Sequence, residues 1–315
     1  MFKYILDDSD VNRLVNVEEL VDHMRTIIVD GVEGGRRVSL EYEGSWYASM
    51  IAAGHGYFTT KLVGVYPENA KRGLPLVRAV LVAFRAEDGE PVLLMDATAA
   101  TGWRTAAATA VALQAMGASR GSVVGIIGAG VQATYHALVV DRLLAPAEIL
   151  VYSRTLAKAE ALASRLTEAK VVSLEELLSN SDIVIAATNS KTPVVKGSLL
   201  REGAIVASVG APRPVRELDD KVAERGRCAI VDTMQALEES DDVSKFKDII
   251  ELSELLRGRK QCKWGEIRVY KSVGTSIFDH AIALYILNRL TRRNGGREGN
   301  GYDRSGGASQ ALWIH

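Results

Sequence analysis

The sequence predicts an α/β protein in which a doubly wound parallel sheet is joined to a second, α+β domain. Its 315 residues are about twice the length of a usual single domain. From Ser122 onward, short apolar runs alternate with helical stretches, which is typical of a parallel sheet covered by helices. Before that point, strand-like runs follow one another directly, which indicates a sheet of another kind.

The first part of the chain is expected to contain two helices and several strands. Apolar residues recur at intervals of three and four over 17–33, the spacing of an amphipathic helix. A turn of the Asp-Gly type at Asp88 and Gly89 joins two apolar runs and predicts a hairpin. An alanine-rich helix is expected over 98–117, with threonines at its cap. The predicted strands are 38–42, 58–65, 77–84 and 92–95.

The second part of the chain carries the alternating strands and helices. Its last strong helix is predicted over about 275–290 and is expected to pack back on the first domain. The predicted domains are therefore 1–116 together with 276–293, and 117–275. The glycine-rich residues 294–315 are predicted to form a flexible tail. The predicted strands of this part are 123–127, 149–152, 183–187, 205–209 and 229–231.

Charge and hydropathy argue against two classes of partner. There are 38 Lys and Arg against 39 Asp and Glu, without long runs of one sign, so a nucleic acid partner is not expected. No apolar stretch is long enough to cross a bilayer, and the N-terminus lacks the apolar segment of a signal peptide. We therefore expect a cytoplasmic protein without a membrane partner.

Cysteine and histidine spacing gives no sign of a metal site. Cys228 and Cys262 belong to no CxxC motif or Cys/His cluster, and both are expected to be buried thiols. The five histidines are scattered without the spacing of metal ligands. No metal is predicted.

A glycine-rich turn predicts a dinucleotide site. The strand at 123–127 is followed by Gly128-Ala129-Gly130-Val131-Gln132-Ala133, a GxGxxA pattern that opens a helix. Gly128 permits a tight turn, Gly130 lets the backbone approach a pyrophosphate, and Ala133 permits close packing of helix on strand. The alternative is a turn that merely joins a strand to a helix. A second strand ending just over twenty residues past Gly130 favours a Rossmann-type site.

The end of that second strand bears on the choice of cofactor. An acidic residue there would bind the ribose of NAD, but the sequence has Ser153, Arg154 and Thr155, with Lys158 one helical turn later. Hydroxyl donors and a planar cation suit a 2'-phosphate, so NADP(H) is favoured over NAD(H). The alternative is an ordinary solvated basic patch.

Seven short motifs, in order, resemble those of the ornithine cyclodeaminase/mu-crystallin family, whose members include archaeal alanine dehydrogenases and ketimine reductases. The similarity covers most of the chain. The motifs lie at 59–63, 67–69, 73–75, 104–107, 128–133, 216–219 and 271–274.

The resemblance implies roles for several residues. The lysine matching Lys61 lies in the active site near the carbon that exchanges hydride, where an ammonium can pass a proton to or from the C=N nitrogen. The arginine matching Arg37 grips the substrate carboxylate, with the adjacent Arg36 as the alternative. The arginine matching Arg104 contacts the cofactor phosphates, and a purely structural ion pair is the alternative for it.

Further cofactor contacts are expected at the carboxyl ends of later strands. Ser272 and Gly274 match a turn that approaches the nicotinamide. Thr188 and Gly210 follow predicted strands and are expected to line the same crevice. The resemblance also implies a homodimer whose interface is provided by the first domain.

One departure from the family bears on the substrate. Cyclodeaminases and alanine dehydrogenases of the family carry a catalytic aspartate two residues after a glycine, where this chain has Pro212. Its absence argues against ornithine cyclodeamination and weakens the case for alanine dehydrogenation. Asp219 and Asp232 are the neighbouring acids considered as substitutes.

The expected activity is therefore reduction of a small α-imino acid by NADP(H), with amino acid dehydrogenation in reverse. Ketimine, pyrroline-2-carboxylate and pyruvate imine reduction all belong to this class. One alternative is a redox-neutral ornithine cyclodeaminase that keeps NAD bound and releases ammonia. Another is a non-catalytic, crystallin-like protein that binds NADPH.

Overall fold

The computed structural model describes residues 1–295, apart from the side chains of Ala70 and of 293–295. Within this range the chain forms two sheets with helices packed on and between them. The predicted flexible tail lies outside the described residues, except for 294 and 295, which belong to the last helix.

The first sheet has seven strands in the order β1-β7-β6-β5-β4-β2, with β3 also paired to β4. All its pairings are antiparallel except that of β1 with β7. The hairpin expected at Asp88 and Gly89 joins β6 to β7, and Gly89 has the positive φ of 73° that its turn requires. The strands are β1 Tyr4–Leu6, β2 Glu33–Gly34, β3 Val38–Tyr42, β4 Ser45–Gly54, β5 Tyr57–Val65, β6 Val77–Arg85 and β7 Pro91–Asp96.

Side chains alternate between the two faces of β5, since successive residues of a strand point in opposite directions. Thr59 and Lys61 are buried on the face that carries the helices, whereas Leu62 is exposed on the other. This alternation brings a lysine into the interior of the molecule. A 3₁₀ helix, Pro67–Arg72, connects β5 to β6.

Four helices pack on this sheet or on one another, and the last of them returns from the far end of the chain. As expected, it contacts the first part of the molecule: α10 packs on α2, α3 and β5. The predicted threonine cap of α3 is wrong, because the side chain of Asp96 accepts the hydrogen bond from the Thr98 amide. The helices are α1 Asp8–Leu14, α2 Val17–Asp30, α3 Ala97–Ala115 and α10 Ser276–Gly295.

The second sheet has eight parallel strands in the order β10-β9-β8-β11-β12-β15-β13-β14. From β8 the chain runs outward through β9 and β10, then returns to β11 on the other side of β8. This reversal of strand order opens a crevice at the carboxyl ends of β8 and β11. The strands are β8 Val123–Ile127, β9 Glu148–Tyr152, β10 Ala169–Val171, β11 Ile183–Ala186, β12 Ile205–Ser208, β13 Cys228–Val231, β14 Asp248–Glu251 and β15 Arg268–Lys271.

Helices lie between these strands along the chain and bury both faces of the sheet, which explains the continuous apolar runs of its inner strands. All four residues of β11, for example, are buried. The fold class expected from the sequence is confirmed. The helices are α4 Val131–Leu144, α5 Leu156–Ala163, α6 Leu174–Asn180, α7 Asp220–Gly226, α8 Ala236–Glu239 and α9 Leu252–Leu256.

The two cysteines form a disulfide, so the prediction of two free thiols is wrong. Cys228 begins β13, and the segment that follows α9 returns to place Cys262 with its Cα 5.8 Å away. This proximity arises from the path of the chain and leaves no trace in the spacing of the two residues.

Across the described residues, no helix is both long enough and apolar enough to cross a bilayer. The same part of the chain contains no cluster of His, Cys, Asp or Glu arranged to hold a metal ion.

Candidate active site

A cavity of about 370 Å³ lies between the two sheets, at the carboxyl ends of the parallel strands. Its walls come from α3 and the start of β6 on one side, and from the turns after β8, β11, β12 and β15 on the other. Eight of the predicted cofactor residues line it: Arg104, Gly130, Val131, Gln132, Thr188, Gly210, Ser272 and Gly274.

The remaining predicted residues are not among those that line the cavity. Gly128 and Ala129 belong to the turn that leads into Gly130. Lys61 and Arg37 contact the cavity only through other residues, as described below. The four residues expected to recognise a 2'-phosphate lie at the end of β9 and in the first turn of α5: Ser153, Arg154, Thr155 and Lys158.

The glycine-rich turn has the shape that a dinucleotide requires. Gly128 has a φ of 115°, and a Cβ there would lie 2.5 Å from the carbonyl oxygen of Ala187. A Cβ on Gly130 would meet nothing within 4 Å, so the backbone at this position borders open space. Gly130 caps α4 without a side-chain hydrogen bond, which leaves the first amides of a 14-residue helix free for an anion. These residues fit a pyrophosphate.

A buried histidine fixes the first turn of this helix. His136 Nδ1 lies 2.7 Å from the carbonyl oxygen of Gln132, and its Nε2 lies 2.9 Å from the hydroxyl of Thr109 on α3. Because Nδ1 contacts a carbonyl, it carries the proton and Nε2 accepts from Thr109. Burial lowers the pKa of His136 to about 4, so the ring is neutral at physiological pH.

The end of β9 lies directly beside the glycine turn. The amide of Gly128 donates to the carbonyl of Tyr152 at 2.8 Å, which joins the two loops. The next residues form a short turn in which the Thr155 amide donates to the hydroxyl of Ser153 at 3.3 Å. Arg154 and Lys158 are exposed, so both cations are free to meet a ligand at this edge.

A buried carboxylate joins the ends of β11 and β12. Glu217 is 0% exposed and accepts four hydrogen bonds, two on each oxygen. Thr188 donates to Oε1 from its amide at 2.7 Å and from its hydroxyl at 2.8 Å. The hydroxyl of Ser208 and the amide of Gly210 donate to Oε2 at 2.7 and 2.8 Å. Burial raises the pKa of Glu217, while Lys271 acts in the opposite direction. Thr188 and Gly210 are thereby fixed at the cavity wall.

A second buried pair supports this carboxylate. Lys271 Nζ lies 3.0 Å from Asp242 Oδ2, and both side chains are 0% exposed. Lys271 also donates to the carbonyl of Gly210 at 3.2 Å, and Asp242 accepts from the backbone amides of Glu217 and Leu218. Sequence reasoning missed this network, although Glu217 and Lys271 each lie within a motif that carried the resemblance.

The two acids considered as substitutes for the family aspartate serve other purposes. Asp219 caps α7 by accepting from the amide of Val222 and does not line the cavity. Asp232 Oδ2 accepts from the hydroxyl of Ser272 at 2.8 Å and from the amide of Gly274 at 2.7 Å. Burial raises the pKa of Asp232. It holds the turn after β15 against the cavity, so neither acid replaces the carboxylate missing at Pro212.

Lys61 forms a buried ion pair that sequence reasoning did not foresee. Its Nζ lies 2.8 and 2.9 Å from the two oxygens of Asp279 on α10, and both side chains are 3% exposed. Asp279 Oδ1 is also 3.2 Å from Nε of Arg104, whose Nη1 is buried without a hydrogen-bond partner among the described residues. One carboxylate therefore joins Lys61 to the charged residue of the cavity wall.

The surroundings of Lys61 bring its pKa close to neutral pH. Burial is the main cause that lowers the pKa of Lys61 to about 8; Asp279 opposes this shift, and Arg104 contributes to it. A lysine with such a pKa gives up its proton far more easily than one in water. In the sequence, the one sign of Asp279 is an acidic residue directly after two apolar residues at the start of α10.

The structure distinguishes between the two neighbouring arginines. Arg37 is 11% exposed and lies 2.9 Å from Glu239. Its Nη2 donates to the carbonyls of Val273 and Gly274, two residues that line the cavity. Arg36 is 76% exposed and lies 3.4 Å from Glu238. Only Arg37 reaches the turn beside the cavity.

Comparison with known proteins agrees with this geometry, since the model of the ornithine cyclodeaminase/mu-crystallin family matches residues 3–294. The chain belongs to this family. Alanine dehydrogenase of Archaeoglobus fulgidus is 29% identical over 93% of this chain and 96% of its own. Ketimine reductase mu-crystallin of Mus musculus is 31% identical over 75% of this chain and 77% of its own.

Solved structures extend the likeness to the fold. Δ1-pyrroline-2-carboxylate reductase of Thermococcus litoralis, in complex with NADH and L-proline, has a TM-score of 0.84 and 30% identity, covering 92% of this chain and 98% of its own. An archaeal alanine dehydrogenase dimer with bound NAD has a TM-score of 0.83 and 26% identity, covering 93% and 98%. Together with these relatives, the family identifies the chain as an NAD(P)-dependent oxidoreductase.

Proposed function

We propose that the protein reduces a small, apolar α-imino acid with NADPH and oxidises the corresponding amino acid in reverse. The observation that carries this proposal is the position of Arg104. It is the one charged residue among the described residues lining the cavity, which Gly130 also lines, and its guanidinium lies 3.2 Å from Asp279, the partner of Lys61.

The chain's residues have distinct roles in this reaction. A bound nicotinamide supplies or takes up the hydride at the substrate α-carbon. The amides following Gly130 would hold the pyrophosphate, and Thr188, Gly210 and Ser272 would form the wall for the nicotinamide. Lys61 holds a proton for the imine nitrogen, and its pKa of about 8 suits both donation and return near neutral pH. Arg37 binds the substrate carboxylate.

The character of the cavity favours an apolar substrate. Leu76, Val77, Val209 and Ala211 are among its lining residues, and none of the described lining residues is an aspartate or glutamate. The side-chain ammonium of ornithine would find no counter-charge there, and burying an unpaired charge is costly. With Pro212 at the place of the family aspartate, this disfavours the cyclodeaminase alternative. Because the Thermococcus relative is named for pyrroline-2-carboxylate, we propose a cyclic imino acid of that kind.

The preference for NADPH is proposed from the edge beside β9. Arg154 and Lys158 offer exposed cations, Ser153 and Thr155 offer hydroxyls, and residues 153–155 include no acid to repel a phosphate. The two neighbouring structures carry NADH and NAD, so this preference distinguishes the chain from them.

We also propose a homodimer formed by the open face of the first sheet. This face carries exposed apolar residues on adjacent strands, an arrangement typical of a protein interface. A second copy is the proposed occupant, in keeping with the dimer of the archaeal neighbour. These residues are Val38, Leu40, Tyr42, Leu62 and Val80.

A substrate panel tests the proposed function. The purified protein is incubated with NADPH or NADH and with Δ1-pyrroline-2-carboxylate, Δ1-piperideine-2-carboxylate or pyruvate plus ammonia, while nucleotide oxidation is followed by absorbance. We expect the fastest oxidation with a cyclic imine and NADPH. Ammonia release from ornithine without net nucleotide oxidation would support the cyclodeaminase instead. Nucleotide binding without turnover on any substrate would support a non-catalytic protein.

A further inference from the structure

Glu239, from the second part of the chain, forms an ion pair with Arg37, the arginine proposed to bind the substrate carboxylate. It ends α8 between strands of the second sheet, whereas Arg37 precedes β3 of the first. Oε2 of Glu239 lies 2.9 Å from Nη1 of Arg37, and the two side chains are 23% and 11% exposed. Arg37 is thus already bound to a carboxylate, and that carboxylate belongs to the protein.

The other donors of Arg37 show how much of its guanidinium remains for a ligand. Nη2 is used by the carbonyls of Val273 and Gly274, and Nε is buried without a hydrogen-bond partner among the described residues. A carboxylate binds a guanidinium best through two parallel N–H bonds. With Nη2 used by the backbone, a substrate carboxylate would bind Arg37 through Nη1 or Nε, and at Nη1 it would lie beside the carboxylate of Glu239.

We propose that Glu239 is an internal competitor that sets the affinity of the site for the substrate carboxylate. The inference rests on the proposed function, in which Arg37 binds that group. Substrate binding exchanges one carboxylate on Arg37 for another, so only the difference between the two interactions contributes to affinity. Glu239 does not line the cavity, so we expect its replacement to leave the reacting groups in place.

The neighbouring pair provides a matched control. Glu238 lies 3.4 Å from Arg36, and the side chains are 64% and 76% exposed. It is the same type of residue on the same helix, making the same type of contact between the same two segments. Glu238→Gln therefore removes one charge at the same place without touching Arg37.

The experiment compares Glu239→Gln with Glu238→Gln in two assays. One measures KM and kcat for Δ1-pyrroline-2-carboxylate with NADPH. The other measures the Kd of L-proline for the NADPH-bound protein by nicotinamide fluorescence. We expect Glu239→Gln to lower both KM and Kd about fivefold, or about 1 kcal/mol, with kcat unchanged. Glu238→Gln should match the wild type. An unchanged or weaker affinity in Glu239→Gln overturns the proposal.

An Arg37→Met variant separates this inference from the function on which it rests. If Arg37→Met weakens L-proline binding but Glu239→Gln changes nothing, the competitor is refuted and the carboxylate role stands. If Arg37→Met leaves L-proline binding unchanged, that role is refuted, and the competitor with it. In the Arg37→Met background, Glu239→Gln should have no further effect. The binding assay needs no turnover, so it tests Glu239 independently of the rate of imine reduction.

Discussion

At the scale of single residues, the site depends on one carboxylate between two cations. Asp279 contacts both Lys61 and Arg104, and all three side chains are buried. The sequence predicted both cations through their motifs, but not the acid that joins them. The reason is physical: Asp279 follows two apolar residues of α10, more than two hundred positions after Lys61, and only the return of that helix brings them together.

We predict that Asp279→Asn shifts the pH dependence of imine reduction. Asp279 raises the pKa of Lys61, so its neutralisation should lower that pKa from about 8. Reduction requires protonated Lys61, and the alkaline loss of kcat should therefore move to lower pH in the variant. The profile is measured from pH 6 to 10, with Glu238→Gln as the control. An alkaline limb at the wild-type pH in Asp279→Asn contradicts this role.

We predict that buried His136 makes the protein less stable as the solution becomes acidic. Its pKa is about 4 in the folded protein and about 6.5 in the unfolded chain, so the unfolded state binds protons first. Its contribution is complete above about pH 6.5 and is lost as the pH falls towards 4. Between pH 7.5 and 5 this amounts to about 2 kcal/mol. Urea unfolding of His136→Gln should show a smaller loss over this range, and an equal loss argues against a neutral buried ring.

At the scale of secondary-structure elements, apolar runs predicted the inner strands well. Strand β8 matches its predicted bounds, and β9, β11, β12 and β13 differ by only one residue at an end. Three strands of the same sheet were missed. Among them, β15 lies between β12 and β13 and begins and ends with a cation. The last of these, Lys271, is tolerated in the interior because Asp242 neutralises it. A pattern of apolar residues does not reveal a buried ion pair whose partner lies elsewhere in the chain.

We predict that Glu217 positions the cofactor wall as well as stabilising the fold. Glu217→Ala removes the acceptor for Thr188 and Gly210 and leaves buried donors unpaired, at a cost of about 3 kcal/mol in the free energy of unfolding. NADPH affinity should fall about tenfold, because both residues line the cavity. Calorimetry measures the affinity, and exposed Glu202→Ala is the control. Unchanged affinity in a folded Glu217→Ala protein indicates a structural role alone.

At the scale of the whole molecule, the α/β architecture followed from length and pattern, but the relations between distant segments did not. The contact of Arg37 with Glu239 depends on how the two parts of the chain meet. The disulfide between Cys228 and Cys262 depends on the path of the chain within the second part. The division into domains at 116 and 276 remains a prediction. The open face of the first sheet likewise became recognisable only once its strands were paired.

We predict that a charge on this open face separates the proposed dimer. Leu62 is 51% exposed at the centre of the face, and a glutamate there would be buried against a second copy. Light scattering coupled to gel filtration should give a dimer for the wild type and a monomer for Leu62→Glu. The control is Leu156→Glu, at an exposed leucine of α5. A wild-type monomer, or a dimeric Leu62→Glu, contradicts the proposed interface.

The central claim is that Lys61 exchanges a proton with an imino acid held against a nicotinamide. Its most direct test is the turnover of Lys61→Met with Δ1-pyrroline-2-carboxylate and NADPH, measured beside the Kd of NADPH. We predict that kcat falls by a factor of about 100 or more while NADPH binding is retained, since loss of a general acid typically costs that much. A Lys61→Met protein that binds NADPH and reduces the imine at the wild-type rate would contradict the claim.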